Sequence, residues 1–298
     1  MDKRISNPAQ TVSVTELTIE SGKARGKRCV LVHAGAVEAM FSVDNALDVS
    51  YLRYRGINLS LLTKNGLNND RRGFISRFEG GFLYTCGMDS FSTCREGYEM
   101  HGSLHTIPCD KVSCECDVEG VTLSGTVSDT ALFGQNLVLV RRYRITGEGI
   151  EINDTLENRA YTDASYVFLY HINFGYPFLS EKLKLNFASR EVIGTNAYSE
   201  SCKGEADLIT APVDGLPENC FYRIMDEGRV ELFNEELRFG CRLTYDMNAL
   251  PNLVQWKSMA SGDYALGIEP ATTRFSPFNM TPIKAGESAN IKINVNFY

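Results

Sequence analysis

Apolar side chains in this chain recur at every second residue rather than every third or fourth, and that periodicity limits its fold more than any other feature. At residues 289–298, Ile291, Ile293, Val295 and Phe297 fall on one face, with Lys292, Asn294 and Asn296 on the other. This is the pattern of a strand with one side buried. The same reading holds for 121–129, 137–146, 150–158, 164–174, 184–194, 229–246 and 263–270. Turn-forming residues separate the runs: Gly147-Glu148-Gly149, Glu227-Gly228 and Ser261-Gly262-Asp263. Helical periodicity is weak, and the best candidate, 37–54, would supply a turn or two. No repeat, low-complexity tract or Pro/Ser-rich linker divides the chain. The expectation is one all-β domain over 1–298, a supersandwich of two large antiparallel sheets, because so many strands exceed what a small barrel holds.

Composition narrows the function. A chain of 298 residues buries roughly three quarters of its unfolded surface and needs neither disulfide nor metal to fold. The formal charge of −7, with no basic stripe, lacks the positive footprint that a nucleic-acid partner requires. The start, MDKRISNPAQTVSVTEL, has no apolar core of a secretory signal, and no apolar run is long enough for a membrane span. Nine cysteines without a CxxC pair suggest reduced, mostly buried thiols and a cytoplasmic location. Cys114 and Cys116, the closest pair, flank Glu115 on an expected strand.

Only four histidines occur: His33, His101, His105 and His171. His101 and His105 lie in EMHGSLHTIP, a segment punctuated by Gly and Pro. His171 ends the apolar run YVFLYHINF, and Glu269 ends YALGIE just before Pro270. A carboxylate at a buried strand end is costly unless it has a partner or a task. Each of these residues taken singly fits a structural role as well as a chemical one.

Their combination carries a resemblance. GGFLYTCGMDS (80–90), YEMHGS (98–103), LYHINFGYP (169–177) and VQWKSMASGDYALGIEPAT (254–272), in that order, resemble the galactose mutarotase-like superfamily, and within it a bacterial aldose 1-epimerase-like branch. The likeness runs from about Leu47 to the end of the chain. It implies a sugar bound in a cleft of one sheet and an isomerase that interconverts anomers without cofactor or metal. It also implies Glu269 as the base on the anomeric hydroxyl, His171 as the acid on the ring oxygen, and His101 as a histidine that holds the sugar. Glu and His have reference pKa values of about 4.3 and 6.5, which would suit those tasks near neutrality with modest tuning.

Galactose mutarotases place an Asn-Arg pair before the HG motif. No such pair precedes His101 here, so Arg77 in SRFEGG is the first candidate for the sugar-gripping arginine and Arg55 the second. The branch implies Gln255, Trp256 and Lys257 in the cleft, with Trp256 either stacking on a sugar face or filling the core. Asp89 fits a hydroxyl contact or a turn cap, and Asn173 joins the expected sugar contacts. Two other readings use the same residues. His101, His105, His171 and Glu269 could form the metal set of a sugar isomerase, and a carbohydrate-binding protein without catalysis would need neither Glu269 nor His171. A glycoside hydrolase needs a second carboxylate within about 5–9.5 Å, and none stands out.

Overall fold

The computed structural model describes residues 3–70 and 72–298. Strands dominate it. Five of them, Val12–Thr18, Arg28–Ala34, Val37–Ser42, Asp48–Tyr54 and Ile57–Asn58, form a meander in sequence order. A second, thirteen-stranded sheet runs from Thr281–Ile283 through Ala164–Phe174, Asp263–Ala271, Asn252–Ala260 and Asn219–Asn234. It continues to Asp110–Cys116 through the C-terminal strand Ser288–Phe297, whose Ile291, Ile293, Val295 and Phe297 are buried as the alternation requires.

The main core lies between the two sheets. Phe41, Val49 and Leu52 of the small sheet belong to the same packed cluster as Tyr143, Ile152, Leu243 and Ile293 of the large one. A second, smaller cluster contains Phe74, Tyr84, Cys86, Phe91, Val167, Leu169, Tyr222, Val254 and Ala271. It uses the other face of the large sheet, because along Ala164–Phe174 the residues alternate between clusters. Phe168, Tyr170 and Ile172 enter the main core, while Val167 and Leu169 enter the smaller one. A strand buried on both sides reads as a continuous apolar run, which is why YVFLYHINF carries so little polarity.

Two local expectations fail for identifiable reasons. Residues 37–54 contain no helix; they form the strands Val37–Ser42 and Asp48–Tyr54, joined through Ala46 and Leu47 at positive φ. Burial on both faces removes the alternation that would have marked them. Glu227-Gly228 is not a turn but lies inside Asn219–Asn234. There the strand changes partner, pairing through 219–223 with Asn252–Ala260 and through 229–234 with Phe239–Tyr245. A Cβ on Gly228 would collide with the Tyr245 carbonyl, so this glycine marks a close backbone approach.

All nine cysteines are free thiols. Among the described residues, no helix is long and apolar enough to cross a membrane.

Candidate active site

Strand register builds the site. Val254 pairs with Glu269, and His171 pairs with Tyr84. Leu169 pairs with Ala271 and Ile172 with Ile268, a register that sets His171 opposite Glu269. Val254, Glu269, His171 and Tyr84 therefore form one row of side chains across four strands. The next row holds Trp256, Gly267 and Asn173. Cross-strand neighbours on one face lie roughly 4.5–5.5 Å apart at Cβ, so the register alone brings together residues nearly one hundred positions apart.

Glu269 Oε1 lies 3.2 Å from His171 Nε2, and both side chains are almost wholly buried. The contact lacks the alignment of a good hydrogen bond, and Glu269 Oε1 and His171 Nδ1 have no other partner. Burial pushes the Glu269 carboxyl well above the usual carboxylate range, with Glu218 adding to the shift. Burial also draws His171 down to about 3, assisted by His101 and opposed by Asn173. The expectation of modest tuning is thus overturned. In a water-poor site both charged forms are disfavoured, which favours a neutral carboxyl against a neutral imidazole. Gly267 makes the contact feasible: a Cβ there would strike Glu269 Oε1 and lie 3.1 Å from His171 Cε1.

His101 arrives from the segment that follows Leu83–Met88. Its ring is 5.6 Å from that of His171, centre to centre, and burial lowers its pKa to about 4. Its Nδ1 accepts the Ser92 backbone N–H at 3.3 Å and contacts Cys86 Sγ at 3.2 Å. A nitrogen that accepts from a backbone N–H carries no proton, so neutral His101 bears its hydrogen on Nε2 as a donor. The backbone of His101 has φ of +66°, a conformation that costs a non-glycine residue about 1–3 kcal/mol and persists where surrounding contacts enforce it.

Behind this face a buried polar network fixes the strands. Fully buried Arg141 bonds Asp154 and Asp48, Tyr170 donates to Asp154 at 2.7 Å, and Thr85 donates to Asp48 at 2.6 Å. Tyr170 precedes His171, and Thr85 sits between Tyr84 and Cys86. The alternate residues of both site-bearing strands are thereby clamped. His105 belongs to this network: its Nδ1 donates to Asp48 at 2.7 Å, and its ring stacks on Tyr84 at 3.7 Å. The four-residue metal set is not assembled, because His105 is held behind Tyr84 by Asp48.

Other expected residues divide by the same alternation. Trp256 borders the cluster, 5.4 Å from the His171 ring, its Nε1 bonded to Glu218. Asn173 is buried beside His171 with Oδ1 unpartnered. Gln255 and Lys257, neighbours of Trp256 in sequence, necessarily face the opposite side of the sheet. Gln255 accepts from Arg223, and Lys257 Nζ donates to the carbonyls of Glu205 and Leu208; neither enters the cleft. Asp89 caps the His101 segment by accepting from the Ser103 N–H at 3.0 Å. Arg77 ends the short helix Phe74–Arg77. Phe74 and Phe78 pack on His101 and His171 with ring centres 4.5 and 6.0 Å apart. Arg55 lies outside the site, its guanidinium over the Tyr54 ring. Tyr84 and Cys86 were not singled out from the sequence; alternation along LYTCGM puts them on one face, and the register makes it the face of His171. Two surface grooves, one lined by Glu16, Arg28 and Lys111 and another by Phe133, Arg159 and Tyr161, share no residue with this cluster.

The two packed sheets, with a buried acid–imidazole pair on one face of the larger, define a galactose mutarotase-like fold, shared with several known structures. A Klebsiella pneumoniae protein provisionally named an aldose 1-epimerase superposes with a TM-score of 0.86 at 18% identity, covering 97% of this chain and 88% of that one. A galactose mutarotase-like protein from Clostridium acetobutylicum gives 0.75 at 15% identity, covering 97% and 99%. A provisionally named mutarotase from Salmonella typhimurium gives 0.68 at 12%, covering 98% and 95%. The chain belongs to the family described as domain of unknown function DUF4432, which matches residues 24–293. No curated protein matches this chain.

Proposed function

We propose that this protein is an isomerase that interconverts the anomers of a sugar by acid–base catalysis, as an aldose 1-epimerase does. The observation that carries the reading is the buried contact of the Glu269 carboxyl with the His171 imidazole, 3.2 Å apart. Opening a cyclic hemiacetal requires a proton to leave the anomeric hydroxyl while another reaches the ring oxygen. The C1–O5 bond then breaks, the aldehyde turns about C1–C2, and reversed transfers close either face. Such chemistry needs one base and one acid, and a carboxyl beside an imidazole, carrying one exchangeable proton in all, supplies both. With the proton on His171, Glu269 is the base and His171 the acid. Each general acid–base contribution of this kind is worth roughly 10²–10⁴-fold. His101 Nε2–H donates to a sugar oxygen, and Trp256 offers an aromatic face to the sugar's CH groups. The names of the structural relatives support the same substrate class.

The test is anomer exchange followed by NMR on a panel of freshly dissolved sugars. Acceleration of one sugar that disappears in His171→Asn supports the reading. Unchanged exchange for every sugar that binds would replace it with a carbohydrate-binding protein.

A further inference from the structure

The acid–base step leaves Arg77 unused, and Arg77 is incompletely paired. Its side chain is 12% exposed, and its only carboxylate partner among the described residues is Glu99 Oε1, 3.3 Å from one terminal nitrogen on a side chain that is 38% exposed. The other edge of the guanidinium, Nε and Nη2, is buried and makes no hydrogen bond. The Tyr84 hydroxyl is buried and likewise without a well-formed bond. The two groups are neighbours: burial pushes the Tyr84 hydroxyl up, and the Arg77 guanidinium acts on it in the opposite sense. The surroundings are aromatic, with Phe74 and Phe78 edge-on to the Tyr84 ring at 5.7 and 5.3 Å. The Tyr84 oxygen can take one guanidinium N–H, but its own O–H and the remaining N–H of that edge have no acceptor. Unmet donors buried among aromatic rings are costly, and a cation more so.

A single planar group with two oxygens satisfies the whole arrangement. The Nε/Nη2 edge of a guanidinium matches a carboxylate through two parallel hydrogen bonds, and the tyrosine hydroxyl adds a third. We propose that Arg77 and Tyr84 form a carboxylate subsite and that the sugar is accordingly a uronic acid. The inference rests on the anomer-exchange reading for the other end of the ligand. Tyr84 and His171 are direct cross-strand partners, so the carboxylate and the anomeric carbon sit over adjacent strands, a separation comparable to one sugar ring. Glu99 is partly exposed and keeps its hydration when the ligand arrives.

Two measurements test this on the intact protein. Anomer exchange is compared for glucuronate and galacturonate, for glucose and galactose, and for the hexose 6-phosphates; affinity for each is measured by calorimetry. At least one uronate should exceed its neutral parent in kcat/KM by 10-fold or more. Arg77→Lys keeps the charge but loses the fork, and should lower uronate kcat/KM by roughly 10- to 100-fold, more than it lowers that of the neutral sugar. Tyr84→Phe keeps the ring and its stack on His105, so folding is preserved; uronate affinity should fall roughly 2- to 10-fold. Equal handling of neutral sugars and uronates, preference for a 6-phosphate, or indifference to Arg77→Lys would overturn the subsite. Arg77-dependent uronate binding without faster exchange would retain the subsite and refute the exchange reading. Failure to bind any uronate would refute the subsite.

Discussion

Glu269→Gln should abolish anomer exchange and, at the same time, remove a pH-dependent destabilisation of the fold. The amide keeps the shape of the side chain but cannot accept or deliver a proton, so exchange should fall by roughly 10²–10⁴-fold. The effect on stability follows from proton counting. Burial raises Glu269 above its ordinary 4.5, so the folded carboxyl stays protonated where the unfolded one ionises. Its contribution is fully present below about pH 4.5 and is lost as pH rises toward the folded value. His171 and His101 are lowered from 6.5 to about 3 and about 4, so their opposite penalty begins below pH 6.5 and grows as pH falls.

Each such group changes stability by about 1.4 kcal/mol per pH unit within its window. Between about pH 4.5 and 6.5 the two histidines outweigh the carboxyl, and these three groups together make stability rise by about 1.4 kcal/mol per pH unit. The carboxyl works in the opposite sense and lowers stability as pH rises from about 4.5 toward its folded value. Titrating groups away from the site cancel in the comparison of the variant with the parent, whereas His171, in contact with Glu269, shifts with it. The advantage of the Gln variant over the parent should therefore widen as pH rises from about 4.5 toward the folded value of the carboxyl. Urea unfolding of both proteins at pH 5, 6, 7 and 8, beside NMR exchange under the same conditions, measures this. A stability difference that does not change with pH, or a variant that exchanges sugar as the parent does, would refute the reasoning.

Three further outcomes follow from single contacts. Gly267→Ala should fold but displace the Glu269 carboxylate, since the new methyl strikes Oε1; exchange should drop at least 10-fold at a stability cost of about 1–3 kcal/mol, read from kinetics and thermal unfolding. Cys86→Ala removes one of the two groups at His101 Nδ1 and should raise KM roughly 2- to 10-fold with little change in kcat. Cys86→Ser, which restores a donor, should recover most of the loss, and an equal loss in both variants would count against hydrogen bonding as the cause. Lys257→Met strips a donor from the Glu205 and Leu208 carbonyls; it should cost about 1–3 kcal/mol in chemical denaturation and leave kcat/KM unchanged, and an altered KM would put Lys257 back in the cleft.

Much of this architecture is legible residue by residue. The two-residue period of 289–298 is visible because one face is polar, and it survives intact as Ser288–Phe297. The period fails at 37–54, where strands buried on both faces carry no alternation to read. It fails again at Glu227-Gly228, where glycine serves a close strand approach rather than a turn. Alternation also held information that the resemblance overrode. Gln255 and Lys257 flank Trp256, and in a strand they must face away from it. The same rule puts Tyr84 and Cys86 on one face of their strand, and the pairing of Tyr84 with His171 makes it the face of the site.

The sequence by itself determined the periodicity, and with it the strands, the all-β class and the placement of Glu269 and His171 at the ends of apolar runs, because those depend on local spacing. Only the tertiary structure decided that the strands of Glu269 and His171 are neighbours in a register that sets the two side chains opposite each other, since register is fixed by pairing between distant segments. It alone decided that Asp48 draws His105 away from His101 and His171. The protonation states were decided there too. Glu269 and His171 have ordinary affinities for protons in water, and what disfavours their charged forms is desolvation, a property of the space that the folded chain encloses rather than of any stretch of it.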